Sequence, residues 1–312
     1  MLSRREAPTC PSPQVRNSAT PQVRKSQSAQ CANGLCLARL AQRQLLQFGR
    51  LFSAGASPNH HPAAKTTATI IYMTQQQRDY YAQTAPAYDS MHVQPGDEHF
   101  VALEYVAGLL QVIRAESVLD VGSGTGRAIR FLQQRCPGLH VEGVEPSGEL
   151  REQAHLPDSV LHDASGENLP FHDHSFDLVM SFALLHHVPD PAPVVAEMMR
   201  VARYGVMISD ANRFGQGSIA AGALKLAIAR TGLWPAFEFF RTRGRGYLES
   251  DGDGIFYSYS IFDSVPQLRP WADRVFVIPT KPQKRIPIAH IAVPHGLLVA
   301  VREPAGPGWA GS

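Results

Sequence analysis

Three glycines at alternate positions follow one acid in Asp120-Val121-Gly122-Ser123-Gly124-Thr125-Gly126. Glycines at this density let a backbone enter φ > 0 and bring its N–H groups close to a ligand. A dinucleotide fingerprint, G-x-G-x-x-G, would need a third glycine where Arg127 stands, which disfavours a nicotinamide-dependent oxidoreductase. Glu145 comes 25 residues after Asp120, near where α/β nucleotide folds set an acid against ribose hydroxyls. One carboxylate can accept hydrogen bonds from both hydroxyls. Glu142 lies three residues earlier, so strand alternation points it to the other face, toward solvent or an edge. His186 and His187 are adjacent and titrate near neutral pH, which makes them the candidate general bases. A packing or backbone-bonded role stands beside that one for at least one of the two.

These residues need a scaffold, and the hydrophobic pattern supplies one. Ser117–Val121 reads as a strand buried on both faces, the glycines as a turn, and Arg127–Cys136 as an amphipathic helix. Val141–Val144, Val160–Ala164, Phe176–Phe182 and Val206–Ser209 read as further strands. Arg274–Pro279 and Gly296–Val301 would close the sheet as an antiparallel hairpin. Phe100 to Ile113 and Pro191 to Ala202 have helical spacing, the second with proline at its start. Alternating strands and helices give an α/β fold with a mostly parallel sheet. Ligands in such sheets sit beyond the carboxyl ends of the strands, so Asp210 and Asn212 face the substrate mouth by position.

The D-x-G-x-G-x-G stretch, with Glu145 and the F-D-x-V…LHH-x block from Phe176 to Val188, resembles the class I S-adenosylmethionine (SAM)-dependent methyltransferases. Within these it resembles the methyltransferase type 11 group, which includes quinone-ring and other small-molecule methylases. The resemblance covers roughly 75–301. It implies a seven-stranded Rossmann-like sheet with an antiparallel last strand and helices on both faces. It also implies SAM as cofactor, held by Asp120, Gly122, Ser123, Gly124 and Gly126 with Glu145 and Pro146. Asp163 would accept from the adenine amino group, and the Ala164 N–H would meet a ring nitrogen; Ser181 is counted with the same residues. Ser165 and Gly166 lengthen the connection after Ala164, which leaves the Ala164 register open. Asp163 also reads as a turn former. Tyr81, Ala85, Tyr88 and Asp89 resemble a lid over the cofactor, with an amphipathic packing helix as the alternative.

Type 11 resemblance implies methyl transfer to a small-molecule acceptor. The alternative is a SAM-binding protein of the same fold that assembles a mitochondrial complex with a protein partner. Asn/Asp-Pro-Pro-aromatic, the mark of DNA methylases, is absent after the fourth strand. No metal is expected, because Ser181 stands where metal-dependent O-methylases carry an aspartate and Asp210-Ala211-Asn212 interrupts their Asp-Asn pair. Residues 215–259 leave the family pattern. Their aromatics, among them Trp234, Phe237, Phe239 and Phe240, read either as a helical cap over a planar or greasy substrate or as an ordinary hairpin core.

Charge divides the chain. Residues 1–72 carry nine Lys/Arg and one acid, net +8, and the remainder is net −6, summing to the overall +2. The acidic body lacks the footprint of a nucleic-acid binder. The acid-poor, Arg- and Ser-bearing leader 1–72 reads as an organelle transit peptide, with Arg50-Leu51-Phe52-Ser53-Ala54-Gly55 resembling a mitochondrial processing site. A plastid peptide or a disordered tail are the alternatives, and translation from Met73 would give a cytosolic form. The domain itself is expected over 73–303 and a frayed tail over 304–312. No run reaches the ~18 apolar residues of a membrane span. Three of the four cysteines, Cys10, Cys31 and Cys36, fall in the leader, leaving Cys136 as a buried packing residue.

Overall fold

The computed structural model describes residues 67–302 except 93 and 95. The transit-peptide reading of 1–72, apart from its last residues, and the tail reading of 304–312 lie outside the described residues. The first helix, α1 (Thr67–Thr84), runs across the expected boundary at Met73. A 3-10 turn at Ala85–Ala87 carries Pro86 at its start and leads into α2 (Tyr88–His92).

Helix α3 (Glu98–Ile113) begins where the Asp97 side chain accepts from the Phe100 N–H at 2.7 Å, satisfying a donor that the first turn leaves without a partner. The chain then alternates: β1 (Ser117–Val121), α4 (Arg127–Arg135), β2 (His140–Val144), α5 (Gly148–Ala154), β3 (Leu161–His162) and β4 (Phe176–Phe182). Next come α6 (Pro191–Val201) and β5 (Ala202–Ala211). The insertion holds α7 (Ile219–Arg230), α8 (Trp234–Arg241), β6 (Leu248–Ser250) and β7 (Gly254–Phe256). Short helix α9 (Val265–Leu268), β8 (Arg274–Pro279), α10 (Ala289–Ala292) and β9 (His295–Val301) complete it.

Seven strands form the main sheet in the order β3-β2-β1-β4-β5-β9-β8. Strands β1 to β5 pair in parallel, and β9 runs antiparallel to both β5 and β8. Strand alternation splits the core between two faces. Leu178 and Met180 join a cluster with Leu103, Val106 and Leu132 of α3 and α4. Val179, between them, joins Val194, Met198 and Val201 of α6. Fully burying such a side chain is worth ~1.5–3 kcal/mol, so both layers hold the sheet. Cys136 lies in the first cluster as expected.

Strand order reverses between β1 and β4, and that is where the crevice opens. The expected third strand is shorter than its apolar run because only Gly143 and Val144 of β2 pair with it. The fifth is longer, since β9 pairs with it from Gly205 to Ala211. The insertion is only partly helical: it ends in the β6–β7 hairpin, whose Asp251-Gly252-Asp253 loop is a turn sequence. Among the described residues no helix is long and apolar enough to cross a membrane.

Candidate functional site

The three glycines of the turn all adopt positive φ, 75° at Gly122, 53° at Gly124 and 75° at Gly126. A Cβ on Gly126 would also lie 2.6 Å from the Leu156 side chain, so any other residue there is both strained and crowded. Arg127 opens α4 and donates to Asp97 at 2.7 Å, tying the turn to the cap of α3. The turn lines a cavity of about 430 Å³ together with the segment after β4. There Ala183 takes φ 52°, which turns the chain into the 3-10 element Leu185–His187.

Of the residues singled out from sequence, Asp120, Gly122, Ser123, Gly124, His186 and His187 line this cavity together. Asp120 is 2% exposed and its Oδ1 has no hydrogen-bond partner in the protein. Burial pushes its carboxyl up to about 7, with the Glu145 charge adding to the effect. Glu145 lies beneath the turn, accepting from the Gly124 N–H at 2.9 Å and the Ser147 N–H at 2.9 Å. Burial raises its carboxyl too, against the pull of those two N–H groups. Glu145, Gly126, Pro146, Asp163, Ala164 and Ser181 do not line the cavity. Asp163 is exposed and paired with Arg151 at 2.8 Å, while Ala164 packs at the edge of the α6 cluster. Ser181 is buried with an unpartnered Oγ. Glu142, expected away from the ligand, accepts from His140 and His162, each at 2.5 Å.

Tyr81 and Tyr88 cover the turn: their ring centroids are 6.0 Å apart, and a Cβ on Gly124 would sit 3.7 Å from the Tyr88 ring. Asp89 accepts from the Thr125 hydroxyl at 2.5 Å, so the N-terminal segment is bonded to the turn it covers.

The two histidines separate by partner. His187 Nδ1 donates to the Ile255 carbonyl at 2.7 Å, a backbone bond to β7. His186 Nδ1 lies 2.7 Å from Asp210 Oδ1, and Asp210 is 1% exposed. Burial alone would lower the His186 proton affinity, but the Asp210 carboxylate overrides it and raises the imidazole above its usual value. His186 in turn holds Asp210 low against burial. Asp210 also accepts from the Leu185 N–H at 3.1 Å and the Ala211 N–H at 2.6 Å, which fixes the carboxylate. Asn212 turns elsewhere, its amide donating to the His290 and Val293 carbonyls at 2.7 and 2.6 Å.

Sequence reasoning missed a polar group on the same cavity. Glu98, His99 and His295 bring three potential metal-ligating atoms within 4.8 Å of one another. Glu98 is paired with Lys281 at 2.6 Å, and His295 Nδ1 lies 2.6 Å from the Thr280 hydroxyl. Burial pushes His295 down to about 3, helped by neighbouring His99. The parts come from α3 and β9, which no local sequence window connects.

None of the aromatics of α8 (Trp234, Phe237, Phe239, Phe240) lines the cavity, and Phe239 and Phe240 are 61% and 78% exposed. The insertion reaches the cavity through Gly252 and Asp253 of its hairpin loop instead.

Residues 119–209 match the family model of a methyltransferase domain. Phosphatidylethanolamine N-methyltransferase of Cereibacter sphaeroides is 32% identical over 125 residues, 38% of this chain and 60% of that protein. Demethylmenaquinone methyltransferase of Thermotoga maritima is 32% identical over 100 residues, 31% and 44% of the two chains. The 27-O-demethylrifamycin SV methyltransferase of Amycolatopsis mediterranei is 30% identical over 148 residues, 45% and 50% of the two. The chain thus spans about half the length of the curated relatives it matches. Among solved structures, the 1,6-didemethyltoxoflavin-N1-methyltransferase of Burkholderia thailandensis is similar at a TM-score of 0.47. It is 14% identical, over 80% of this chain and 95% of that one. The matched stretch carries the glycine turn, Glu145 and the His186–His187 turn, and over 119–209 the chain carries a SAM-dependent methyltransferase domain similar to those of the type 11 group.

Proposed function

We propose that the protein transfers a methyl group to a small-molecule acceptor whose reacting atom must lose a proton, with His186 as the general base. The observation that carries this is the His186–Asp210 pair, 2.7 Å apart, on the wall of the cavity that the glycine turn also lines. The residues suit SAM. The unpartnered Asp120 Oδ1 is a buried acceptor awaiting a donor, as an amino-acid ammonium would provide. Gly122 and Gly124 line the cavity and would let the backbone approach the ligand, while Glu145 holds the turn from behind through the Gly124 and Ser147 N–H groups. When bound, SAM supplies a methyl group already activated by its sulfonium charge.

The chain's own contribution is placement and proton handling. Asp210 occupies His186 Nδ1, which leaves Nε2 as the nitrogen to take a proton from the acceptor. The same carboxylate stabilises the imidazolium that results. Tyr81 and Tyr88 line the cavity beside the glycine turn, where closing over a bound ligand would exclude water and strengthen both interactions.

The test offers tritiated SAM with demethylmenaquinone, 27-O-demethylrifamycin and phosphatidylethanolamine, the acceptors that the relatives' names provide. Methyl label in an extracted acceptor, with the rate lowered about 10²–10⁴-fold in His186→Ala, supports the proposal. The neutral imidazole is the base, so activity rises with pH, and its limb lies above the usual histidine value of about 6.5. Asp210→Asn moves that limb to lower pH. An unshifted limb would remove His186 as the base. Tight SAM binding with no labelled metabolite would favour the assembly role instead.

The mitochondrial address of 1–72 belongs to the same proposal and rests on composition. A fluorescent fusion of 1–72 that stays in the cytosol would overturn it.

A further inference from the structure

Five of the eight large apolar side chains that stand exposed among the described residues fall on α7, α8 and the link between them. They are Ile219 at 48%, Leu224 at 62%, Leu233 at 60%, Phe239 at 61% and Phe240 at 78%. Helix α8 has no buried residue at all, and α7 buries only Gly222. A helix pair this apolar ordinarily turns inward, and an exposed patch of this kind marks a surface that something covers.

Charge says what the cover is. Between 216 and 248 the chain has five basic residues (Lys225, Arg230, Arg241, Arg243, Arg245) and one acid, Glu238, a local net of +4. Glu238 is already paired with Arg241 at 2.9 Å. Lys225 is turned inward to the Arg213 and Gln216 carbonyls. Arg230, Arg243 and Arg245 stand exposed among these apolar residues in the chain, and the other acids of the insertion, Glu249, Asp251 and Asp253, fall on the β6–β7 hairpin. The rest of the body is acidic, since residues 73–312 sum to −6. A second copy meeting this face through two-fold symmetry would set the basic rim against itself.

We propose that α7 and α8 dock on an anionic lipid bilayer, lying in the interface with Leu224, Leu233, Phe239 and Phe240 toward the acyl chains. The arginines meet the lipid phosphates, and the attraction weakens as salt rises. Partial embedding of two short helices needs no membrane-spanning length. The inference is independent of the methyl-transfer reading, because it concerns a face that the cavity does not use.

The experiment takes the full chain with vesicles of phosphatidylcholine, with and without phosphatidylglycerol. Flotation is compared among wild type, Phe239→Ser/Phe240→Ser, Arg230→Gln/Arg243→Gln, and Val112→Ser, an equally exposed site on α3. Hydrogen exchange of 219–245 is read in the same samples. Expected are binding to the phosphatidylglycerol vesicles, slowed exchange across 219–245, and a loss of about tenfold or more in affinity for the two-phenylalanine variant. The arginine variant loses the dependence on anionic lipid, and Val112→Ser binds as wild type does. The basic leader is itself able to bind such vesicles, so exchange locates the contact. Protection confined to residues before 67, with 219–245 unchanged, overturns the proposal. Protection of 219–245 that appears with rising protein concentration and no vesicles assigns the face to a second copy and also overturns it.

Discussion

Asp120 is held where its charge is disfavoured until a donor arrives. Its carboxyl is pushed up to about 7 by burial, against ~3.9 in an unfolded chain. A raised folded value means that its contribution to stability is fully present below about 4 and is lost as pH rises through about 7. Asp120→Asn removes that loss. Urea unfolding at pH 8 should find the variant more stable than wild type by on the order of 2–4 kcal/mol, with the two converging near pH 4. The same variant should lose SAM affinity in calorimetry. In wild type that affinity falls as pH drops below about 7, because the protonated carboxyl no longer attracts an ammonium. A variant that gains no stability at pH 8 would show that the buried carboxylate finds a partner the structure does not give it.

Capping and turn geometry decide how the elements carry these groups. Asp97 serves two elements, capping α3 through the Phe100 N–H and pairing with Arg127 at the start of α4. Burial raises its carboxyl, but the Arg127 and backbone bonds outweigh it and hold it below the usual aspartate value. That contribution is present above the unfolded value of about 3.9 and is lost as pH falls through the lower folded value. Asp97→Ala should cost ~1–2 kcal/mol at pH 7, and denaturation near pH 3 should show a smaller gap. Gly126→Val should be worse than Gly124→Val for folding, since the first meets Leu156 at 2.6 Å and the second only the Tyr88 ring at ordinary contact. Comparing the thermal midpoints of the two variants tests this ranking.

At the scale of the whole molecule, the inserted hairpin joins the ends of the site. The Gln77 side chain accepts from the Ile255 N–H at 2.6 Å and donates to the Asp253 carbonyl at 3.1 Å, binding α1 to β7 and its loop. The hairpin then holds the histidine turn, through the Tyr257 N–H to the His186 carbonyl at 2.6 Å and His187 to Ile255. Hairpin, N-terminal helix and histidine turn are therefore tied into one hydrogen-bonded network. Gln77→Ala leaves the buried Ile255 N–H without its acceptor, a cost of ~1–3 kcal/mol. Hydrogen exchange at β6–β7 and at 185–188 should accelerate together in this variant. Faster exchange at the hairpin alone would show that the histidine turn is held from the sheet.

Local patterns carry the parts of this protein that are local. Buried runs such as Phe176–Phe182 set the strands, the D-x-G-x-G-x-G spacing sets the turn, and Pro191 after Asp190 starts a helix. Each depends on neighbours a few residues away, so composition and period suffice to read them. Assignments that depend on distant partners stayed open. His186 and His187 are adjacent and alike in sequence, and only the approach of Asp210 to one and Ile255 to the other gives them different chemistry. The Glu98–His99–His295 group forms because α3 packs against β9, nearly 200 residues further along the chain. The α8 aromatics had the same sequence signature whether they faced a substrate, a core or the outside. Which way they face is set by how α8 packs on α7 and α7 on α10, a property no residue in them possesses alone.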